Sequence, residues 1–111
     1  MEVKINDLQA YLLEHYQNRR HETALFMKLV EEIGEVAEIL NKRAGRKFSE
    51  NEDLDKELTI ELADMIHYIV GIAAINNLNL NDVIIEKDKK ASIKYNHARN
   101  LEQFINEKDE R

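Results

Sequence analysis

Apolar residues recur at steps of three and four along most of this chain, and no run shows the two-residue alternation of a half-buried strand. The spacing predicts four helices. The first covers about residues 5–19, with Leu8, Tyr11, Leu12 and Tyr16 as core contacts. The second covers about 22–43, with Leu25, Leu29, Val30, Ile33, Val36, Ala37 and Leu40 on its apolar face. The third covers about 52–76 and the fourth about 80–96. Gly45 reads as the stop of the second helix. Ser49-x-x-Glu52 reads as a capping box for the third, and Asn79 as the cap of the fourth. In the 97–111 tail, Leu101, Phe104 and Ile105 suggest a docked segment, while 107–111 reads as frayed. The expected fold is a single all-α domain over residues 1–111, a four-helix bundle-like arrangement.

The third helix is apolar nearly all round beyond Tyr68, through Ile69, Val70, Ile72, Ala73, Ala74 and Ile75. Such a helix needs cover on more than one side. Four short helices give limited cover, so the pattern predicts completion by a homodimer or homotetramer, with this helix or its neighbours at the interface.

Composition narrows the function. A length of 111 residues fits one domain. Without cysteine there are no disulfides or thiolate metal sites. A formal net charge of -6 argues against a nucleic-acid polymer as partner. The sequence reads as having no apolar run of transmembrane length and no signal-peptide core, so the expected location is cytoplasmic with no membrane partner.

Two acid pairs then stand out. Glu32-x-x-Glu35 falls in the second helix and Glu61-x-x-Asp64 in the third. Residues three apart on a helix are neighbours, so each pair projects from one face. Glu61 and Asp64 interrupt an otherwise mostly apolar stretch, where an unpaired carboxylate is costly to bury. Four converging carboxylates call for a cation, and all-oxygen ligands suit Mg²⁺ or Mn²⁺. With the core stripe centred on Leu29, Ile33 and Leu40, Glu32 lies at its edge, roughly 80–100° from the centre. Glu35 lies farther round, and Glu31 almost opposite the core. Glu32 and Glu35 are therefore the direct ligands of choice, with Glu31 and Glu38 as outer acids or solvated charges. His67 reads as a hydrogen-bonded helix-edge residue. A di-iron centre needs Glu-x-x-His twice, and the chain has none.

Three segments together resemble one family. Lys28-Leu29-Val30-Glu31-Glu32-Ile33-Gly34-Glu35-Val36-Ala37-Glu38 resembles the first metal-binding helix of the MazG-like nucleotide pyrophosphohydrolases. Glu57-Leu58-Thr59-Ile60-Glu61-Leu62-Ala63-Asp64-Met65-Ile66 resembles the second. Leu78-Asn79-Leu80-Asn81-Asp82-Val83 followed by Lys87 resembles the start of the last core helix. The resemblance implies an all-α MazG fold that converts a nucleoside triphosphate to monophosphate and pyrophosphate with Mg²⁺, in nucleotide-pool house-cleaning. It implies Glu32, Glu35, Glu61 and Asp64 as metal ligands, with Glu32 or Glu35 acting on the water. It implies Lys28, Lys87, Lys94 and Tyr95 as substrate contacts. Ala91 stands where the family pattern has Asn, and Asn96 where it has Pro. Asn96 or Asn76 are candidate substitutes for that amide. Two rival readings remain: a phosphoribosyl-ATP pyrophosphohydrolase of the same superfamily, and a non-catalytic helical partner that keeps the fold.

Overall fold

The computed structural model describes residues 1–45 and 53–110. Every regular element among them is helical, and they fall into two compact units, residues 1–78 and 79–111.

The first unit holds α1 (Ile5–Tyr16), a single 3₁₀ turn (Arg19–His21), α2 (Glu22–Arg43) and α3 (Leu54–Ile75). Helix α1 stops three residues before the expected end at 19. Gln17 adopts φ 70°, and Asn18 is extended, its side chain accepting from the Arg20 N–H at 3.0 Å. Asparagine competes well for backbone donors at such a position. Helix α2 takes the expected bounds. It ends with Gly45 at φ 76°, whose N–H donates to the Lys42 carbonyl at 3.0 Å. The proposed Ser49/Glu52 capping box lies outside the described residues. The cap seen on α3 is Asp53, which accepts from the Lys56 N–H at 3.0 Å. Asn77, at φ 54°, closes α3: its N–H donates to the Ala74 carbonyl and that of Leu78 to the Ala73 carbonyl.

Helices α2 and α3 form an antiparallel hairpin along their full length. At one end Arg43 Nε lies 3.6 Å from Asp55 Oδ1. At the other, Asn76 Nδ2 donates to Glu22 Oε1 at 2.8 Å and to the Ile72 carbonyl at 2.9 Å. Helix α1 packs on α3. The Tyr16 ring lies against Gly71, where an added Cβ would sit 3.4 Å from it, and Tyr16 Oη is 2.6 Å from His67 Nε2. Burial raises the Tyr16 phenol above its ordinary pKa of 10.0, helped by neighbouring Tyr68.

The inward stripe of α2 differs from the expected one. Leu25, Glu32 and Ile39 are buried and Leu29 and Val36 half-buried, while Val30, Ile33 and Leu40 are exposed. The chain carries two adjacent apolar seams on this helix, and the seam that contains a carboxylate faces in. Tyr11, expected in the core, is also exposed. Helix α3 buries Val70, Gly71, Ala73, Ala74 and Ile75. It is 22 residues long with a window of mean hydropathy 1.6, enough to cross a membrane by length and composition. That corrects the expectation that no run reaches such a length. Its Glu61 and Asp64 would be expensive in hydrocarbon, and here it is the helix on which α1 and α2 both pack.

The second unit holds α4 (Leu80–Lys94) and α5 (Leu101–Asp109). Asn79 caps α4 as expected, accepting from the Asp82 N–H at 3.1 Å. Asn96 ends it at φ 55°, with the N–H of His97 on the Ser92 carbonyl. The tail is more ordered than its composition suggests. Asn100 and Gln103 form a reciprocal capping box, and α5 continues through Glu107 to Asp109 rather than fraying from 107. Asp88 accepts from the Leu101 N–H at 2.5 Å and Lys89 pairs with Glu102 at 3.0 Å, which fastens α5 to one side of α4.

Candidate metal centre

The hairpin brings Glu32 of α2 against Glu61 and Asp64 of α3. One carboxylate oxygen from each residue lies within 4.8 Å of the other two. Glu61 and Asp64, three apart, share a helix face. Glu32 reaches them because it sits in the middle of the inward seam of α2. It is only 9% exposed.

The electrostatics of this cluster point to a cation. Glu32 Oε2 and Glu61 Oε2 are both buried from solvent, and neither has a hydrogen-bond partner. A buried carboxylate oxygen left without a donor is among the costliest groups a fold can carry. Two glutamates and one aspartate converge with no hydrogen-bond donor on those two oxygens. Hard oxygen donors at this spacing fit Mg²⁺ or Mn²⁺, which hold a few carboxylates and keep other positions for water or phosphate.

Glu35 lies outside this triple. It is exposed, one turn nearer the interhelical loop, and lines a shallow groove of about 180 Å³ with Glu38, Lys42, Glu57 and Glu61. Glu61 thus belongs both to the carboxylate triple and to the groove. Glu31 is exposed and pairs with Lys28 at 3.3 Å, so these two candidates meet each other on the outer face of α2. His67 bonds to Tyr16, the role expected for a helix-edge histidine.

Of the remaining candidates, Lys87, Lys94, Tyr95 and Asn96 belong to the second unit and Asn76 to the first. Lys87 and Lys94 are seven residues apart on α4 and both exposed. Such a separation places them on one helix face. Lys94 Nζ lies 5.3 Å from the centre of the Tyr95 ring, and Tyr95 is 63% exposed. Helix α5 attaches through Asp88 and Lys89, on the other side of α4, and leaves the Lys87 and Lys94 face open within this unit. Asn76 and Asn96, the suggested replacements for the amide absent at Ala91, both have structural work. Asn76 ties α3 to Glu22, and Asn96 supplies the left-handed residue that ends α4.

The fold has a counterpart among known proteins. No curated protein matches the chain. Among solved structures, it resembles the crystal structure of iMazG from Vibrio DAT 722, with a TM-score of 0.63 and 29% identity, over 86% of this chain and 100% of that one. The MazG nucleotide pyrophosphohydrolase domain matches residues 5–98, which takes in α1 to α4 and leaves α5 outside. With that span and its carboxylate triple between antiparallel helices, the chain belongs to the MazG nucleotide pyrophosphohydrolase domain family.

Proposed function

We propose that this protein hydrolyses nucleoside triphosphates to the monophosphate and pyrophosphate, with Mg²⁺ held by Glu32, Glu61 and Asp64. The observation that carries the reading is the pair of buried carboxylate oxygens, on Glu32 and Glu61, that lack any donor. In a member of this family, such oxygens are best understood as ligands. Mn²⁺ would fit the same donors.

When bound, the metal supplies Lewis acidity toward a phosphoryl oxygen and favours ionisation of a coordinated water. The protein's own groups divide the remaining work. Glu32, Glu61 and Asp64 fix the position of the cation from two helices clamped at both ends. Glu35, exposed at the groove and outside the triple, is the better placed of the two α2 glutamates to take a proton from water. Lys87 and Lys94, exposed on one face of α4, are the cations that the family resemblance offers for the charge of a departing pyrophosphate. A cytoplasmic nucleotide pool would supply the substrate.

The test is pyrophosphate release from canonical and damaged ribo- and deoxynucleoside triphosphates and from phosphoribosyl-ATP, with and without Mg²⁺. Wild type should turn over a triphosphate only with the cation. Glu35→Gln and Asp64→Asn should each lose at least about 100-fold in rate with an unchanged helical spectrum. Full turnover by either variant would refute the site. Release from phosphoribosyl-ATP alone would move the assignment to that enzyme. Release from none would leave a non-catalytic partner protein.

A further inference from the structure

Facing residues run down the α2–α3 hairpin in layers at steps of seven. Leu25, Glu32 and Ile39 are the buried residues of α2. Leu25 meets Gly71 of α3: a Cβ on that glycine would lie 3.5 Å from Leu25 Cδ1 and 3.4 Å from the Tyr16 ring. Asp64, seven residues before Gly71, meets Glu32, seven after Leu25. Glu57, seven before Asp64, lines one groove with Ile39. Seven residues make close to two helical turns, so these positions share one face on each helix. The Leu25–Gly71 layer thus lies on the same seam as the carboxylates, about 10 Å along it.

Gly71 is buried in the interior of α3. Glycine is a poor helix former, and its use at such a position is that a neighbour comes close to the backbone. A Cβ there just fits, but atoms beyond it would run into Tyr16 or Leu25. Neither neighbour is free to swing away. Leu25 is 4% exposed, and Tyr16 is tied to His67. The side chains at a contact set the distance between packed helices. A larger residue at 71 would therefore wedge α3 away from α2.

We propose that Gly71 is a positioning residue for the metal centre. By letting α2 and α3 close on each other at this layer, it fixes the span between Glu32 and the Glu61/Asp64 pair, and with it the size of cation the three carboxylates hold. The proposal rests on the metal reading of those carboxylates. The lever runs from the Arg43–Asp55 contact at one end of the hairpin. Asp64 lies about 14 Å from Asp55 along α3, and Gly71 about 24 Å. An opening of about 1 Å at Gly71 becomes about 0.6 Å at the carboxylates. Mg²⁺ takes oxygens at ~2.0–2.1 Å and Ca²⁺ at ~2.3–2.6 Å, roughly 0.4 Å more per bond and ~0.8 Å more across an ion that bridges two helices. A wedge the size of a methyl group or two carries the site from the span of one ion toward that of the other.

Calorimetric titration of the full chain with Mg²⁺ and with Ca²⁺ tests this, read as the ratio of the two dissociation constants. Gly71→Val should move that ratio at least about tenfold toward Ca²⁺. A role confined to stability would weaken both ions alike and leave the ratio where it was. Gly71→Ala, whose Cβ fits, should keep the wild-type ratio. Leu25→Ala combined with Gly71→Val removes as many carbons as it adds, and should restore it. Gly71→Ser, a smaller wedge with a shift in the same direction, serves if Gly71→Val fails to fold. An unchanged ratio in the wedged variant, or one that the double variant does not restore, would overturn the proposal and leave the metal reading standing. Binding of neither ion to wild type would overturn both.

Discussion

Replacing Glu32 by Gln should change stability in opposite directions with and without a divalent cation. The three carboxylates approach within 4.8 Å of one another. Two unit charges at that separation repel by about 0.9 kcal/mol in bulk water, and by about 3.5 kcal/mol at an effective dielectric near 20. Glu32 takes part in two of the three pairs. Gln keeps the shape and removes both repulsions, about 2 kcal/mol even at the water limit. For a small domain that raises Tm by roughly 8–16 °C. With Mg²⁺ at a hundred times its dissociation constant, wild type gains about 2.7 kcal/mol. The variant lacks the most buried of the three carboxylates and should gain little. The two proteins should therefore exchange order: the variant melts higher in chelator, the wild type higher in saturating Mg²⁺. Circular-dichroism melts across a Mg²⁺ titration decide it. If the variant melts lower than wild type in chelator, and wild type ignores Mg²⁺, the carboxylates are structural and the metal assignment fails.

Two further outcomes follow from the packing. Tyr16→Phe keeps the ring against Gly71 but loses the contact with His67, and should cost about 1 kcal/mol in chemical denaturation; an unchanged midpoint would mean that the contact contributes nothing. The raised Tyr16 pKa also sets a pH dependence. The fold favours the neutral phenol, so this contribution is complete below the unfolded value of 10.0 and is lost as pH rises toward the higher folded value. Wild type should thus lose stability above about pH 10 more steeply than Tyr16→Phe. Asn100→Ala removes the reciprocal cap of the nine-residue α5. It should cost about 1 kcal/mol, read as roughly fivefold faster hydrogen exchange in α5 with α1 to α3 unaffected; equal exchange would show that the cap is dispensable.

Much of the chain was legible in advance where local chemistry acts alone. The bounds of α2 follow from apolar spacing and from Gly45, whose φ of 76° needs a residue without a Cβ. Asn79 declares the start of α4 in the same way. The early end of α1 was harder to see, because Gln17 and Asn18 interrupt the backbone without interrupting the polar pattern. The order of α5 also lay hidden, since a nine-residue helix depends on its cap and on its anchors to Asp88 and Lys89 more than on periodicity.

The sequence by itself determined that the chain is helical, that two acid pairs lie on its second and third helices, and that its residues resemble one family. Only the tertiary structure decided which way α2 turns. Two apolar seams run side by side on that helix, about 100° apart, and hydrophobicity favours the one without a carboxylate. Packing chose the other, placing Glu32 opposite Glu61 and Asp64 and leaving Phe26, Val30, Ile33 and Leu40 in the open. The reason is that a periodic pattern records which residues could be buried against something. What they meet depends on contacts between segments distant in sequence, and here those contacts set the inward-facing Glu32 against two acids of the facing helix.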